Sequence, residues 1–295
     1  MPISEAQLET WAHQGSVAQS ASTYQIISNA LGAAGTPIHG RDYEIFLQGS
    51  YGNHTNIYAE SDVDVVIRLN ETYYSNSTSL PLDQYLAWEH DRIALSYSWT
   101  QFRTDVLTTL NRAFGTDVTS GARAIAVAAG GSRRKADVLV AAEFRNYASY
   151  SSAVPNFVSG ICFWDSAGQE IVNYPKQHAA NLIAKQQATG GRFKPMVRVL
   201  KNLRSRLESE GLIVAGSAPS YFVEGLLYNV PAGLFASTFG QTFVSSVNWL
   251  QNADRRSLLC ANLQSPLIRD GNPTCWRVAD ANAFVDGLIR YWNEA

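Results

Sequence analysis

The hydrophobic pattern of this chain changes at Pro175. Before that residue, short apolar runs bounded by turn residues recur between two helical stretches, whereas after it apolar residues recur every three or four positions. A strand-bearing first half followed by a helical second half indicates an α+β fold with two lobes. We therefore expect one domain over 1–175 and another over 176–295, since domains usually hold roughly 100–200 residues.

The same patterns predict the individual elements. A long amphipathic helix is expected over 4–32, starting from a capping box at Ser4 and Gln7. Strands are expected over 43–48, 62–69, 122–129, 135–144, 157–164 and 169–174. Further helices are expected over 82–114 (with a break near Ser98), 176–189, 192–210, 219–230, 239–253 and 278–293.

Composition restricts the class of protein and its partners. With 46% hydrophobic residues the chain can bury a sizeable core, so disorder is excluded as its dominant state. Lys and Arg number 23 and Asp and Glu 25, a net charge of −2, so no global basic field attracts duplex nucleic acid. Long polynucleotides are therefore not expected as obligate partners.

Membrane and secretory signals are not found in the sequence. No stretch approaches the roughly 18–20 apolar residues of a membrane span, and the first residues do not resemble a signal peptide. The cysteines Cys162, Cys260 and Cys275 are odd in number and far apart, as in proteins of a reducing compartment. We expect a cytoplasmic protein without a membrane partner.

Two aspartates interrupt an otherwise apolar strand. Asp62 and Asp64 are two residues apart, so on a strand their side chains point to the same face. Neighbouring carboxylates repel, and one should protonate unless a cation lies between them. Mg²⁺ suits this position because it prefers oxygen ligands and shares them with phosphates.

A third acid, Asp137, lies in an apolar strand that follows the Gly130-Gly131 hairpin. If this strand lies beside the strand of Asp62 and Asp64, three carboxylates converge at one end of the sheet. Such a group suits a pair of metal ions about 3.5–4 Å apart. A lone Asp-x-Asp is more often a turn or a solvated strand edge, so the functional interpretation depends on the combination.

The Gly49-Ser50 pair lies between the first strand and the acidic one. Glycine after a strand lets backbone N–H groups approach a phosphate closely, and the serine adds a hydroxyl donor. Gly-Ser alone is common in loops. Followed by Asp-x-Asp within an apolar strand and a separate strand acid, it predicts a site that binds a triphosphate and its magnesium ions.

This combination of Gly49-Ser50, Asp62-x-Asp64 and Asp137 resembles the polymerase-β-like nucleotidyltransferase superfamily. The motifs Leu-Gln-Gly-Ser-Tyr-Gly, Thr-Asn-Ile and Ser-Asp-Val-Asp are similar to those of the bacterial CD-NTases. These enzymes are relatives of cGAS that make cyclic oligonucleotide signals. The resemblance extends over nearly the whole chain. It implies a bilobal fold with a mixed-sheet catalytic lobe, a helical lobe and a long N-terminal helix bridging them.

The resemblance also implies roles for the matching residues. Asp62 and Asp64 would ligate two Mg²⁺ ions, with Mn²⁺ as a compatible substitute, and Asp137 would ligate the catalytic ion and help deprotonate a ribose hydroxyl. Gly49 and Ser50 would hold the β- and γ-phosphates. The implied reaction is attack of that hydroxyl on the α-phosphorus of an NTP with release of pyrophosphate, and a second such step closes a ring.

The helix expected over 192–210 carries three cations on one stripe, Lys194, Arg198 and Lys201. The apolar residues of that helix, Met196, Val199, Leu200, Leu203 and Leu207, fall on its other side. Most charge stripes are solvated faces. Here the stripe is also interpreted as a triphosphate-binding surface, because the chain has few lysines and two of them lie in it.

Two further residues in the second half are candidates for nucleotide binding. Lys201 and Ser220 resemble the lysine and serine with which this family clamps the donor triphosphate. Tyr221 is interpreted either as a stacking partner for a nucleobase or as a residue packed between helices.

The resemblance implies NTP substrates, ATP or GTP with pyrimidine nucleotides not excluded, and a bacterial enzyme of antiphage (CBASS) signalling. A regulatory protein partner is compatible with it, and a downstream effector would bind only the product. Two alternatives stay open: nucleotide transfer to RNA, a protein or a small molecule, and a catalytically silent nucleotide-binding module.

Overall fold

The computed structural model describes residues 3–15, 17–58, 62–272 and 274–294. The helices of these residues are α1 (Glu5–Ala12), α2 (Ala18–Leu31), α3 (Gly49–Gly52), α4 (Leu82–His90), α5 (Trp99–Phe114), α6 (Pro175–Ala188), α7 (Phe193–Ser209), α8 (Ser220–Asn229), α9 (Phe239–Asn252) and α10 (Val278–Glu294). The strands are β1 (Tyr43–Leu47), β2 (Val63–Asn76), β3 (Val118–Ser120), β4 (Ile125–Val127), β5 (Ala136–Ser149), β6 (Asn156–Trp164) and β7 (Glu170–Asn173). The expected strands and C-terminal helices are confirmed, and the break near Ser98 is the N-cap of α5, which has a complete capping box with Gln101.

The predicted single helix over 4–32 is wrong, because α1 and α2 are separate helices. His13 has extended backbone angles, and the Gly15 N–H donates to the carbonyl oxygen of Asn56 at 3.1 Å. A Cβ at position 15 would lie 2.8 Å from backbone atoms of Ile57. The chain leaves the helix at this point in order to pack against residues 56–58, a contact that the helical pattern does not reveal. Ser16 lies outside the described residues.

The contacts divide the chain into two compact units. The helical unit comprises Met1–Val17, Gly49–Glu60 and Lys176–Ala295, and the sheet unit comprises Ala18–Gln48 and Ser61–Pro175. Most of the first half thus falls in one unit, while two of its short segments fall with the C-terminal helices. The sequence-based domain boundary between 175 and 176 stays a prediction.

The sheet unit is built on one mixed sheet. Its order is β1-β2-β5-β4-β3, with β6 also pairing with β5 and β7 pairing with β6. Strands β2 and β5 are parallel, and the other pairs are antiparallel. Helix α5 buries Phe102, Val106 and Leu110, and the Trp99 indole at its start donates to the Val140 carbonyl at 2.9 Å. This packing holds α5 against β5.

Helix α7 lies at the centre of the helical unit. Its apolar residues are all buried in the core, namely Phe193, Met196, Val197, Val199, Leu200, Leu203 and Leu207. Helix α1 is attached to α9 because the Glu5 carboxylate accepts from the backbone N–H groups of Phe239 (2.5 Å) and Gly240 (2.9 Å) at the start of α9. None of the helices in the described part of the chain is long and apolar enough to cross a membrane.

Candidate functional site

The parallel pairing of β2 with β5 brings the predicted acids together in the sheet unit. The register places Asp64 directly beside Asp137 and Val63 beside Ala136. Asp62 immediately precedes β2, where the Val63 N–H donates to the Lys135 carbonyl at 3.0 Å. The expectation that the two acidic strands are neighbours is therefore confirmed, and it places Asp62 at the same end of the sheet.

Lys135 forms ion pairs with two of these carboxylates. Its Nζ is 2.6 Å from Oδ2 of Asp62 and 3.6 Å from Oδ2 of Asp137. The hydrogen bond to Asp62 is the main cause that raises the pKa of Lys135, so the ammonium stays charged. One cation thus partly neutralises acids contributed by two strands. The sequence interpretation missed this contact, although Lys135 is two residues before Asp137 and so shares its face of the strand.

The donor chemistry of this acidic cluster fits magnesium. The searched residues contain no group of three or more His, Cys, Asp or Glu side chains already arranged around a metal position. The carboxylates of Asp62 and Asp137 are nevertheless partly exposed and close enough to share one ammonium. Carboxylates on neighbouring strands repel one another, and a cation between them reduces this repulsion. Because all of these donors are oxygen atoms, they suit Mg²⁺ or Mn²⁺.

The Gly49-Ser50 turn lies in the helical unit. Gly49 has φ of +64°, a left-handed conformation that favours glycine, and it opens the single helical turn α3. The Asn53 N–H donates to the Gly49 carbonyl at 3.0 Å and the Thr55 N–H to the Ser50 carbonyl at 2.9 Å. Gly49 is therefore required by the backbone of this turn, whatever it binds.

Two cations of α7 bind the backbone of residues 54 and 55, which follow the Gly49-Ser50 turn. Lys201 is fully buried, and its Nζ donates to the Thr55 carbonyl at 3.0 Å. Arg198 donates to the carbonyls of Ala12 (2.5 Å) and His54 (2.7 Å), and burial lowers its pKa to about 10. Burial, followed by the charges of Lys194 and Arg198, lowers the pKa of His54, so this segment lies in a positive field.

These contacts restrict the predicted roles of the stripe. Lys194 is 8% exposed, with its pKa lowered by burial, and Lys201 has no exposed surface. The stripe is therefore not a solvated face. Lys201 here holds the chain at Thr55, and its predicted contact with a triphosphate stays a prediction, as do those of Lys194 and Arg198.

Ser220 and Tyr221 begin helix α8. The Ser220 hydroxyl accepts from Arg204 at 3.0 Å. The ring of Tyr221 stacks on that of His178 with centroids 4.7 Å apart, its hydroxyl accepts from Asn262 at 3.0 Å, and burial raises its pKa. Packing between helices, one of the two interpretations of Tyr221, is observed; stacking on a nucleobase stays a prediction.

A buried carboxylate that the sequence interpretation missed lies next to these residues. Glu224 of α8 is 2% exposed, and its side chain accepts from Asn53, Thr55 and His178. An acid within the apolar sequence of α8 is the signal that could have identified it, because a buried charge requires partners.

Known proteins share both the sequence and the fold of this chain. The family profile of the cGAS/DncV-like nucleotidyltransferase C-terminal helical domain matches residues 180–293. The cyclic UMP-AMP synthase of Rhodothermus marinus (strain SG0.5JP17-172) is 36% identical over 294 residues, covering 99% of this chain and 98% of that protein. The cyclic nucleotide synthase CdnE01 of Staphylococcus haemolyticus is 32% identical over 302 residues and the whole length of both chains.

A solved structure is similar over the full length as well. The structure of the Rhodothermus marinus CdnE c-UMP-AMP synthase with Apcpp and Upnpp superimposes with a TM-score of 0.89 at 35% identity. The match covers 99% of this chain and 97% of that one. Both the strand-bearing and the helical parts of the chain are thus included in the similarity.

Proposed function

Because the chain belongs to the bacterial CD-NTases, the cGAS/DncV-like nucleotidyltransferases, we propose that it condenses NTPs into a cyclic di- or trinucleotide second messenger and releases pyrophosphate. The resemblance read from the sequence and the α+β, polymerase-β-like fold are confirmed. The proposed reaction belongs to bacterial antiphage (CBASS) signalling, in which an effector binds the product.

The observation that carries this proposal is the register of β2 and β5. It places Asp64 beside Asp137, and Lys135 joins Asp137 to Asp62. Acids from two strands that share one cation are suited to hold divalent ions on a triphosphate. When bound, two Mg²⁺ ions would supply charge neutralisation at the reacting phosphate.

The residues of the chain have separate tasks in the proposed reaction. Asp62 and Asp64 would hold the ions, and Asp137 would also accept the proton of the attacking ribose hydroxyl. The hydroxyl oxygen forms a bond to the α-phosphorus while the bond from that phosphorus to the bridging oxygen of pyrophosphate breaks. Repetition of the step on the linear product closes the ring. The protein contributes mainly positioning and electrostatic stabilisation.

The helical unit supplies the proposed phosphate donors. The Gly49 N–H and the Ser50 hydroxyl would bind the β- and γ-phosphates, and Lys194 and Arg198 would add positive charge to the same segment. Ser220 is proposed as a further triphosphate contact. Burial is the main cause that lowers the pKa of His54, and the charges of Lys194 and Arg198 lower it further. These two charges support the binding of an anion at this position.

The test uses the purified protein with labelled ATP, GTP, CTP and UTP and Mg²⁺ or Mn²⁺. We expect a phosphatase-resistant product, and Asp64→Asn and Asp137→Asn should lower its rate by about 10³-fold or more. Asp83→Asn, at an exposed acid in the first turn of α4, is the matched control and should retain activity. Thermal unfolding of each variant checks that the fold is retained.

Other products would contradict the proposal in distinguishable ways. A linear, phosphatase-sensitive product would contradict ring closure. A nucleotide label on an added RNA, protein or small molecule would indicate the transferase alternative. Nucleotide binding without turnover across metals and partner proteins would indicate a catalytically silent module.

A further inference from the structure

Segment 53–55 follows the Gly49-Ser50 turn and is bound on one side by a buried polar cluster. The Glu224 Oε2 accepts from Nδ2 of Asn53 at 2.9 Å and from Nε2 of His178 at 2.8 Å, and its Oε1 accepts from the Thr55 hydroxyl. The Lys201 Nζ donates to the Thr55 carbonyl at 3.0 Å. We call Asn53, Thr55, His178, Lys201 and Glu224 the Glu224 cluster.

The cluster is inside the helical unit. His178 and Glu224 are each 2% exposed, Thr55 and Lys201 have no exposed surface, and Asn53 is 7% exposed. Burial by itself raises the pKa of the Glu224 carboxyl, but the hydrogen bond and electrostatic attraction of His178, followed by the charge of Lys201, outweigh it and hold that pKa below its ordinary value. The cluster therefore contains a carboxylate and an ammonium that neutralise each other away from water.

The backbone connects this cluster to the turn. The N–H groups of Asn53 and Thr55, whose side chains bind Glu224, donate to the carbonyls of Gly49 (3.0 Å) and Ser50 (2.9 Å). Anything that holds the two side chains in place therefore also holds the two residues proposed to bind phosphate. Loops that carry functional residues need such support from a rigid scaffold.

We propose that Glu224 is a positioning residue, which holds segment 53–55 and through it keeps the Gly49-Ser50 turn in its phosphate-binding conformation. The inference rests on the proposed function of the turn, but the attachment of the segment is testable without any nucleotide. It assigns an effect on substrate affinity to a carboxylate that is only 2% exposed.

The test is a double-mutant cycle that moves the carboxylate from position 224 to position 53. Glu224→Gln removes a negative charge that acts on the buried Lys201 ammonium, and Asn53→Asp places a second carboxylate beside Glu224. The double variant Asn53→Asp/Glu224→Gln again has one carboxylate and one ammonium. In it the amide introduced at position 224 donates to the carboxylate introduced at position 53 and, with the neutral His178 ring carrying its proton on Nδ1, to Nε2 of His178. The carbonyl of that amide accepts from Thr55, so every original contact has a complementary partner.

Hydrogen exchange without nucleotide is the first measurement. In Glu224→Gln, the backbone amides of residues 53–55 should exchange about tenfold faster or more than in the unchanged protein, because their hydrogen bonds open more often. The double variant should return to within about threefold of the unchanged rate. Thr55→Val, which removes one donor and keeps the charged pair, should give a smaller increase and replaces Glu224→Gln if that variant does not fold.

Nucleotide affinity is the second measurement, made with a non-hydrolysable ATP or UTP analogue and Mg²⁺. Glu224→Gln should weaken binding about tenfold and raise KM with a much smaller change in kcat, because the turn binds phosphate in the ground state and the transition state alike. The double variant should recover most of the affinity.

Glu5→Gln is the matched control, since Glu5 is a carboxylate of the same unit that caps α9. It should lower the unfolding temperature without changing exchange at 53–55 or analogue affinity. The inference is overturned if hydrogen exchange at residues 53–55 is unchanged in Glu224→Gln or is not restored in the double variant. It is also overturned if Glu5→Gln raises that exchange equally. If exchange behaves as expected but the unchanged protein binds no nucleotide, the attachment stands and the proposed function fails.

Discussion

Replacing Lys135 by Met should strengthen the binding of divalent ions to the protein without nucleotide. The Lys135 ammonium lies 2.6 Å from Asp62 and 3.6 Å from Asp137, so it competes with a metal ion for the same oxygens. Methionine keeps a side chain of similar length and removes the charge. We therefore expect the acids to gain affinity for the metal rather than lose it.

The magnitude follows from the distances and the exposure. Unit charges about 4 Å apart interact by about 1 kcal/mol in water, and a divalent ion doubles this repulsion to about 2 kcal/mol. The Lys135 side chain is 46% exposed, so solvent and salt screen the interaction. A gain of about 1 kcal/mol remains, which corresponds to roughly fivefold tighter binding.

The assay is a Mn²⁺ titration of the nucleotide-free protein, followed by electron paramagnetic resonance of the free ion. Arg123→Met serves as the control, because Arg123 is an exposed cation of the same unit and its loss changes the net charge equally. The gain should shrink with rising salt. Two results would refute the view that the Lys135 ammonium competes with a metal ion for the carboxylates. One is equal affinity for Mn²⁺ in the Lys135 and Arg123 variants, and the other is weaker Mn²⁺ binding in Lys135→Met.

Two further predictions concern stability. Gly15→Ala should destabilise the protein by about 1–3 kcal/mol in chemical denaturation, because its Cβ would lie 2.8 Å from the Ile57 backbone. Gly233→Ala is the control and should change stability by less than about 0.5 kcal/mol, because among the described residues the added Cβ has no neighbour within 4 Å beyond its own turn of chain. Hydrogen bonds from Ser152, then His90 and Tyr150, lower the pKa of Asp91 to about 2, so its stabilising effect is present above the unfolded-state pKa of about 4 and is lost as the pH falls towards 2. The difference in unfolding temperature between the unchanged protein and Asp91→Asn should therefore shrink over that range, and a difference that is constant with pH would contradict this account.

Local structure was largely predictable from the residues themselves. Periodicity located the strands and the C-terminal helices, and the break expected near Ser98 coincides with the start of α5, because propensity acts over a few neighbouring residues. The short edge strand β3 was missed, since three residues carry too little pattern. The residue types of Asp62, Asp64 and Asp137 were also sufficient to indicate a need for cations.

Contacts between distant segments could not be read from such patterns. Only the parallel register of β2 and β5 places Asp64 beside Asp137, and only the folded chain shows that Lys135 lies on the acids and that Glu224 holds segment 53–55. The break between α1 and α2 likewise depends on a distant stretch of backbone, at Ile57. Helical and strand periods report which face of an element is buried, but not which distant partner covers it; that choice is made when the whole chain packs.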